Sequence, residues 1–443
     1  MKLLPKLLCL ILCLGPTCHA AVYYVTPHSP LDCPASEHCH TINEYAQSDK
    51  FGQNDNIVLI FLDGTHNLTS LNLQIEQKES VVMILHHNAN VTIQVQDEAQ
   101  FILRNIKFVN LTGLTFISTR FDYTPWCVPD SDKTIHLAQV SVFSCQNSFF
   151  EQCSLAIENV ETVNIEEINF SKSWIYYSIS SNSTDEENLN KSVLIRESEF
   201  SLSTIAMLQT IPCNSSTEPN NINDNSIRFG IENCSLFDSF VTVQITTQSE
   251  LHLDVTLKDT RVHSENGNAP SNLYGVTGLY VDISSNVTLR LEINNCEISG
   301  NSVGLALLAN YSADLEVEIK QCQFLNNGGN FALVVAPKFG GIGLVLGLGT
   351  TANIKIDSTI ISGNKFIQVY IYAGDIVTLS DTLDLEIATS SEHTVSSDNL
   401  TFEMTHSSIL ASIPGRVFAF ITVRRTTGPG TSCLRMRQSL VRF

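Results

Sequence analysis

The sequence predicts an all-β fold, a three-sided solenoid of stacked parallel strands with a short N-terminal helical cap. Three observations predict it. A six-residue block recurs at regular spacing, an alternating strand runs into each block, and a second strand sits at a fixed offset of 18 residues before the block's small residue.

The block is apolar at its first position, small at its fourth and apolar at its sixth. Its copies are Ile231–Leu236, Leu257–Val262, Ile293–Ile298, Ile319–Phe324 and Ile356–Ile361. Weaker copies read Ile195…Ser198…Phe200 and Phe150…Cys153…Leu155. The small residues Ser198, Cys234, Thr260, Cys296, Cys322 and Thr359 are separated by 36, 26, 36, 26 and 37 residues. The step of 26 reads as one plain coil and the longer step as a coil with an inserted loop.

Leu253, Val255 and Leu257 alternate with Asp254 and Thr256, and the same register returns at Leu289–Ile293, Leu315–Ile319 and Ala352–Ile356. Such alternation buries one face and solvates the other. A constant register means that the copies stack, with Asp254, Arg290 and Glu316 as outward neighbours of alternating sign. Gly278, Gly304 and Gly341 each open a second strand 18 residues before Cys296, Cys322 and Thr359, and glycine there suits a tight corner. Gly300-Asn301, Asn326-Asn327-Gly328-Gly329 and Gly363-Asn364 close each coil. Coils of three strands, stacked at roughly 4.8 Å per rung, form a parallel β-helix. A β-sandwich of similar strands is the alternative, but it has no reason to keep one offset through three copies.

The chain has 443 residues, 43% of them hydrophobic and only 16% charged, so it has a large core and little disorder. Its net charge of -20 repels phosphates and argues against nucleic acid as a partner. The charge is uneven. Residues 1–403 carry 19 basic and 45 acidic residues, whereas the segment after Glu403 has six arginines and no Asp, Glu or Lys.

Lys2 and Lys6 flank the start of an apolar run, Leu7–Leu14, and small residues allow cleavage after Ala20, so residues 1–20 read as a signal peptide. The run is too short for a membrane anchor. No later stretch is read as transmembrane; 331–348 comes closest, but Pro337, Lys338 and several glycines interrupt it. Eleven Asn-x-Ser/Thr sequons fit a secreted glycoprotein: Asn67, Asn90, Asn110, Asn169, Asn182, Asn190, Asn214, Asn233, Asn286, Asn310 and Asn399. Ten cysteines remain beyond the signal segment, an even number that oxidation can pair. Cys33 and Cys39 lie close enough to form a disulfide. Cys296 and Cys322, on adjacent rungs, either bridge or fill a ladder as small apolar residues. The pairing of Cys127, Cys145, Cys153, Cys213 and Cys433 stays open.

The organisation that follows is a signal peptide (1–20), a disulfide-bearing cap (21–54), the solenoid (55–412) and a basic tail (413–443). A solenoid needs a lid on its first rung. Thr41-Ile-Asn-Glu44 has the form of a capping box and predicts a short helix at about 41–48.

Val58–Asn67, with the run Leu-Ile-Phe-Leu-Asp-Gly-Thr-His, and Leu103–Phe116 resemble the first coil and the repeated rung of right-handed parallel β-helix proteins of the pectin-lyase-like kind. The resemblance is one of pattern over about residues 55–410. The opening Tyr23-Tyr-Val-Thr-Pro27, with Cys33-Pro and Cys39-His-Thr-Ile-Asn-Glu-Tyr45, also resembles a group of secreted β-helix proteins of early-branching animals. The resemblance implies a right-handed coil and brings no activity with it. The hydrolases of the fold carry Asn-Thr-Asp, Asp-Asp, Gly-His-Gly and Arg-Ile-Lys motifs, and none occurs here. Its lyases use calcium bound by carboxylates, with an Arg or Lys base.

One acidic cluster, Asp254, Glu292, Glu316 and Glu318 with Arg290 and Lys355 beside it, shares an outward face and reads first as a solvated charge ladder. Glu166-Glu167 and Asp185-Glu186-Glu187 read as solvated too. Cys33, His38, Cys39 and His40 have zinc-ligand chemistry, but an oxidising compartment favours a disulfide with two bystander histidines. His86-His87 point to opposite faces if they lie in a strand. Trp126, Trp174, Tyr176 and Tyr177 are the aromatic candidates for sugar stacking.

Three functions fit: a non-enzymatic extracellular scaffold that binds glycans or proteins, a divergent polysaccharide lyase or hydrolase, and the ectodomain of a longer membrane receptor. No cofactor and no catalytic residue is read from the sequence.

Overall fold

The computed structural model describes residues 20–27, 33, 39–47, 51, 54–69, 71–96, 98–119, 133–180, 190–210, 225–247, 250–265, 277–284, 286–309, 312–328, 339–347, 349–364, 367–373, 393–397, 400–410, 418–428 and 431–439. The chain divides into two compact units, Met1–Asn169 and Phe170–Phe443. Both are built of stacked parallel strands, the architecture of a right-handed parallel β-helix, with the hand that parallel crossovers adopt.

In the first unit, Ala21–Val25 pairs in parallel with Asn56–Phe61, which pairs with the second half of Leu73–Leu85. Leu73–Leu85, Phe101–Thr112 and Ile135–Gln146 are long because each turns a corner and serves two faces. The corner residues Gln77, Asn105 and Gln139 all take positive φ, between 52° and 55°. Short strands, Gly64–Leu68, Val91–Val95, Thr115–Ser118 and Phe149–Glu151, make another face. Phe116 and Phe150 stack in the core at 5.3 Å between ring centroids. The helix Ile42–Ala46 begins with the expected capping box: Thr41 Oγ1 accepts from the Glu44 amide, and the Glu44 carboxylate accepts from the Thr41 amide. Its buried Tyr45 stacks on Phe51 and meets Tyr23 edge-on, closing the apolar end of the first rung. Cys33 and Cys39 form the expected disulfide.

The second unit has three faces. The first face stacks Lys191–Arg196, Ser226–Glu232, Leu251–Lys258, Val287–Asn294, Asp314–Lys320, Thr351–Asp357 and Leu400–Thr405. The second face consists of three-residue strands, from Glu199–Ser201 to Ser408–Leu410. The third runs from Trp174–Ser180 through Val303–Ala309 to Ile367–Ala373. The register matches the sequence repeat: Leu253, Leu289, Leu315 and Ala352 are stacked and buried, as are Leu257, Ile293, Ile319 and Ile356. Each inward Leu, Ile or Val contributes about 1.5–3 kcal/mol by burial.

The small residue of each block has a specific task. The residue before it takes positive φ (Asn233, Asp259, Asn295, Gln321, Ser358) and turns the chain sharply. The small side chain then folds back to the carbonyl two residues earlier. Thr260 Oγ1 donates to the Lys258 carbonyl at 2.8 Å and Thr359 Oγ1 to that of Asp357 at 2.9 Å, while the Cys322 thiol donates to that of Lys320 at 3.0 Å. Hydroxyls also accept from the adjacent rung: the Cys234 amide donates to Thr260 Oγ1 and the Thr359 amide to Ser407 Oγ. Phe150…Cys153…Leu155 is therefore out of phase with the other copies. Ser148, whose Oγ donates to the Gln146 carbonyl, occupies that turn, so the matching block is Cys145…Ser148…Phe150.

A second polar ladder lies at the next corner. Ser173, Ser203 and Ser239 lead to Asn301, Asn327 and Asn364, all buried. The Asn301 amide donates to Asn327 Oδ1 at 3.0 Å and the Asn327 amide to Asn364 Oδ1 at 2.8 Å. Each asparagine Nδ2 returns to a carbonyl of a neighbouring rung, those of Val262, Ile298 and Phe324. The glycines Gly278, Gly304 and Gly341 do not serve as corners. They sit in strands and allow close stacking: a Cβ on Gly278 would lie 2.6 Å from the Gly304 carbonyl oxygen, and one on Gly304 2.7 Å from that of Gly341.

The arginine-rich tail continues the stack. Phe418–Gly428 pairs in parallel with Ile367–Ala373 and antiparallel with Thr431–Ser439, which sets Arg424 opposite Arg435. The extra residues of the long coil steps, 211–224, 266–276 and 329–338, lie outside the described residues.

Asn327→Ala is expected to destabilise the chain by roughly 3 kcal/mol or more, because buried donors and acceptors on both neighbouring rungs lose partners. Cys296→Ser keeps the turn bond and is expected to change stability by under about 1 kcal/mol. Urea unfolding followed by circular dichroism measures both; equal losses would sink this account of the ladder.

Candidate functional site

The first face of the second unit presents the most chemistry among the described residues. Its outward side chains stand in columns fixed by the register. One column reads Arg228, Asp254, Arg290, Glu316 and Asn353, and the next reads Thr256, Glu292, Glu318 and Lys355. The alternation of sign at Asp254, Arg290 and Glu316 is the one the repeat predicts. Arg228 and Asp254 approach to 3.7 Å and Lys320 and Glu318 to 2.6 Å, both at partly solvated positions. Exposed pairs of this kind contribute about 0–1 kcal/mol each, so the columns organise the surface more than they hold it together.

A depression of about 380 Å³ opens on this face at the first residues of the strands Val287–Asn294, Asp314–Lys320, Thr351–Asp357 and Leu400–Thr405. Thr288, Arg290, Asp314, Glu316, Thr351 and Asn353 line it, and Thr351 Oγ1 donates to the Asp314 carboxylate. Asp314 and Glu316 lie two residues apart on one strand and so share a face. The set offers a guanidinium fork, two carboxylates, hydroxyls and an amide on rigid parallel strands. Such groups can bind a polyhydroxylated ligand by paired hydrogen bonds. Among the described residues, no three Cys, His, Asp or Glu side chains converge as metal ligands.

Among the described residues, Trp174, Tyr176 and Tyr177 do not form a sugar platform. Tyr177 alternates inward with Ile175 and Ile179, stacks between rungs against Met207, and is 1% exposed. Burial pushes its phenol well above the ordinary value. Trp174 is 4% exposed at the head of the same strand, beside the buried Thr204. Tyr176 points the other way and is half-buried. Trp126 lies outside the described residues.

Among the sequons, Asn67, Asn90, Asn169, Asn190, Asn233 and Asn286 are exposed. Asn110 is only 5% exposed within its strand, so the folded unit has no room for a glycan there. Asn182, Asn214, Asn310 and Asn399 lie outside the described residues. Among the described residues, Cys33 and Cys39 pair, whereas Cys145, Cys153, Cys234, Cys296 and Cys322 are buried free thiols; Cys127 and Cys213 lie outside the described residues. Burial raises the Cys145 and Cys153 thiols to about 12. With Cys33 and Cys39 joined, the zinc reading loses its thiolates; His40 instead lies 3.6 Å from Glu44, and His38 falls outside the described residues. His86 and His87 are exposed in a turn rather than in a strand.

Sequence reasoning missed one cluster, in the first unit. The Lys133 ammonium lies 2.6 Å from Glu158, and His136 Nε2 lies 2.9 Å from the other carboxylate oxygen. His136 and Glu158 come from strands paired in parallel, a juxtaposition that no local motif announces. The His136 ring at 2.9 Å, reinforced by Lys133 and opposed by burial, holds the Glu158 carboxyl down at about 2.

The comparisons add little. No protein-family model matches the chain, and no curated protein matches it. Among solved structures, the crystal structure of pectate lyase Pel9A is similar over 76% of this chain and 77% of its own, at 10% identity and a TM-score of 0.20. A likeness that distant carries nothing about chemistry.

The Glu158 cluster has a pH signature. Its folded value lies below its unfolded one, so the ionised carboxylate stabilises the fold above about pH 4.5, and that contribution is lost as pH falls toward 2. With 29% of the side chain exposed, screening reduces it to roughly 2 kcal/mol. The urea midpoint of the wild type should therefore fall more steeply than that of Glu158→Gln on acidification through this window. Parallel curves for the two proteins would refute the assignment.

Proposed function

We propose that this protein is a secreted, glycosylated β-helix scaffold that recognises an extracellular glycan without turning it over. The observation that carries the reading is the depression on the first face, where Arg290 stands between Asp254 and Glu316 on stacked parallel strands, with polar groups interleaved among Leu289, Leu315, Ala352 and Leu400. A neutral or weakly polar sugar chain fits a surface with donors and acceptors interleaved and a net charge of -20. A polyanionic glycan would meet Asp314 and Glu316 at once.

Secretion is supported by the apolar leader and its small residues at the cleavage position, which stand just before the strand Ala21–Val25. The Cys33–Cys39 disulfide and the six exposed sequons fit the same compartment. The five free thiols are compatible with it because burial keeps them from oxidants.

A glycan array probed with the secreted protein tests the reading, with reducing-sugar release and ultraviolet-absorbing unsaturated products assayed on the same polysaccharides. Binding without turnover is expected. Arg290→Ala and Glu316→Gln should each weaken it about ten- to a hundredfold, the loss of one or two charge-assisted hydrogen bonds. Binding untouched by both substitutions would move the site off this face, and turnover would overturn the scaffold reading itself.

A further inference from the structure

We propose that Asn286 carries an N-linked glycan whose first sugars lie in the first-face depression and compete there with added ligand. The proposal rests on the reading of that depression as a glycan site.

Three placements lead to it. Asn286 is exposed, takes positive φ (64°) and immediately precedes the strand Val287–Asn294. Its sequon is Asn286-Val287-Thr288, and Thr288 itself lines the depression, so the acceptor motif forms part of the wall. The register then carries the depression across neighbouring rungs, Thr288 beside Asp314 and Asp314 beside Thr351. Asn286 stands about 7 Å along the chain from Thr288, and the three rungs span about 9.6 Å, a reach within the span of an N-glycan core. Asn233 is placed differently. It follows the far end of its first-face strand, and no residue of its sequon lines the depression.

The chemistry is matched. The core sugars are neutral and carry hydroxyl and acetamido groups. Arg290 supplies donors, Asp314 and Glu316 supply acceptors, and the Asn353 amide supplies both. Attachment is an ordinary group transfer from an oligosaccharide pyrophosphoryl lipid. The Asn286 amide nitrogen forms a bond to the anomeric carbon, the bond from that carbon to the pyrophosphate breaks, the amide releases one proton, and the lipid pyrophosphate leaves. Once tethered, the sugars need little intrinsic affinity, because a short link gives them an effective concentration in the millimolar range. A free ligand must displace them. Occupancy of Asn286 is thereby a regulatory setting of the scaffold.

The experiment has two independent arms. In the first, peptide mapping establishes occupancy of Asn286 on the secreted protein. Release of that glycan by an amidase is then timed under native conditions. The Asn286 glycan should be released about tenfold faster from Arg290→Ala, and from Glu316→Gln, than from the wild type, since each removes seating bonds. An unoccupied Asn286, or release rates unaffected by both substitutions, overturns the proposal. In the second, Asn286→Gln should bind array ligands about tenfold more tightly than the glycosylated wild type, and equal affinity overturns the competition. Substitution-dependent release together with no array ligand for Asn286→Gln would keep the seated glycan and reject external glycan recognition.

Discussion

Everything in the second unit depends on one constraint: each rung must present its backbone to the next at a constant spacing, so the corners must repeat as faithfully as the strands. The corner solves this with two residues. The first takes positive φ, as at Asn233, Asp259, Asn295, Gln321 and Ser358, and reverses the chain in the least space. The second is Ser, Thr or Cys, and its side chain gives a second hydrogen bond to a carbonyl that also accepts a backbone amide of the neighbouring rung, as at Glu232, Lys258, Asn294, Lys320 and Asp357. Hydroxyl and thiol are interchangeable for donation, which is why the cysteines of this column remain unpaired. A disulfide between Cys296 and Cys322 would consume the two thiol protons that now go to the Asn294 and Lys320 carbonyls.

The asparagine corner applies the same logic with a larger side chain. One side-chain amide accepts a backbone amide of the preceding rung through its oxygen and donates to a carbonyl of that same rung through its nitrogen, so the run Asn301, Asn327 and Asn364 ties successive rungs together inside the core. Such a network is valuable because it is fully engaged at its centre; a half-satisfied one in a low-dielectric interior is worse than none. The ladder also explains the glycines beside it. The asparagine amides and the strand that follows crowd the same corner, so Gly278 and Gly304 have no space for a Cβ.

Most of this fold was legible in the sequence because a solenoid repeats its physics. Alternation at Leu253–Leu257 and its copies announced inward and outward columns, and the structure stacks those residues partner for partner. What failed to transfer were inferences drawn from composition rather than position. An even cysteine count suggested bonds throughout, yet position puts Cys234, Cys296 and Cys322 in the corner column as free thiols. Trp174 and Tyr177 suggested a sugar platform, yet the period-two phase of Ile175, Tyr177 and Ile179 turns the tyrosine inward. The Phe150 copy was misphased because Ser148 and Cys153 are both small, and only the pairing of rungs tells one corner from the other. The Lys133–His136–Glu158 cluster had no linear signal at all, since it forms between strands.

The same rigidity that simplifies the fold limits what its surface can do. Side chains on a stacked face stand parallel, at spacings set by the strand and the rung. Two carboxylates on one strand, such as Asp314 and Glu316, point the same way and do not close on a reacting bond from opposite sides. A long ligand whose own repeat runs along the face suits this geometry better than a small substrate that must be enclosed. The proposed recognition of a glycan chain rests on this geometry: donors and acceptors interleaved along the face at spacings that the register fixes.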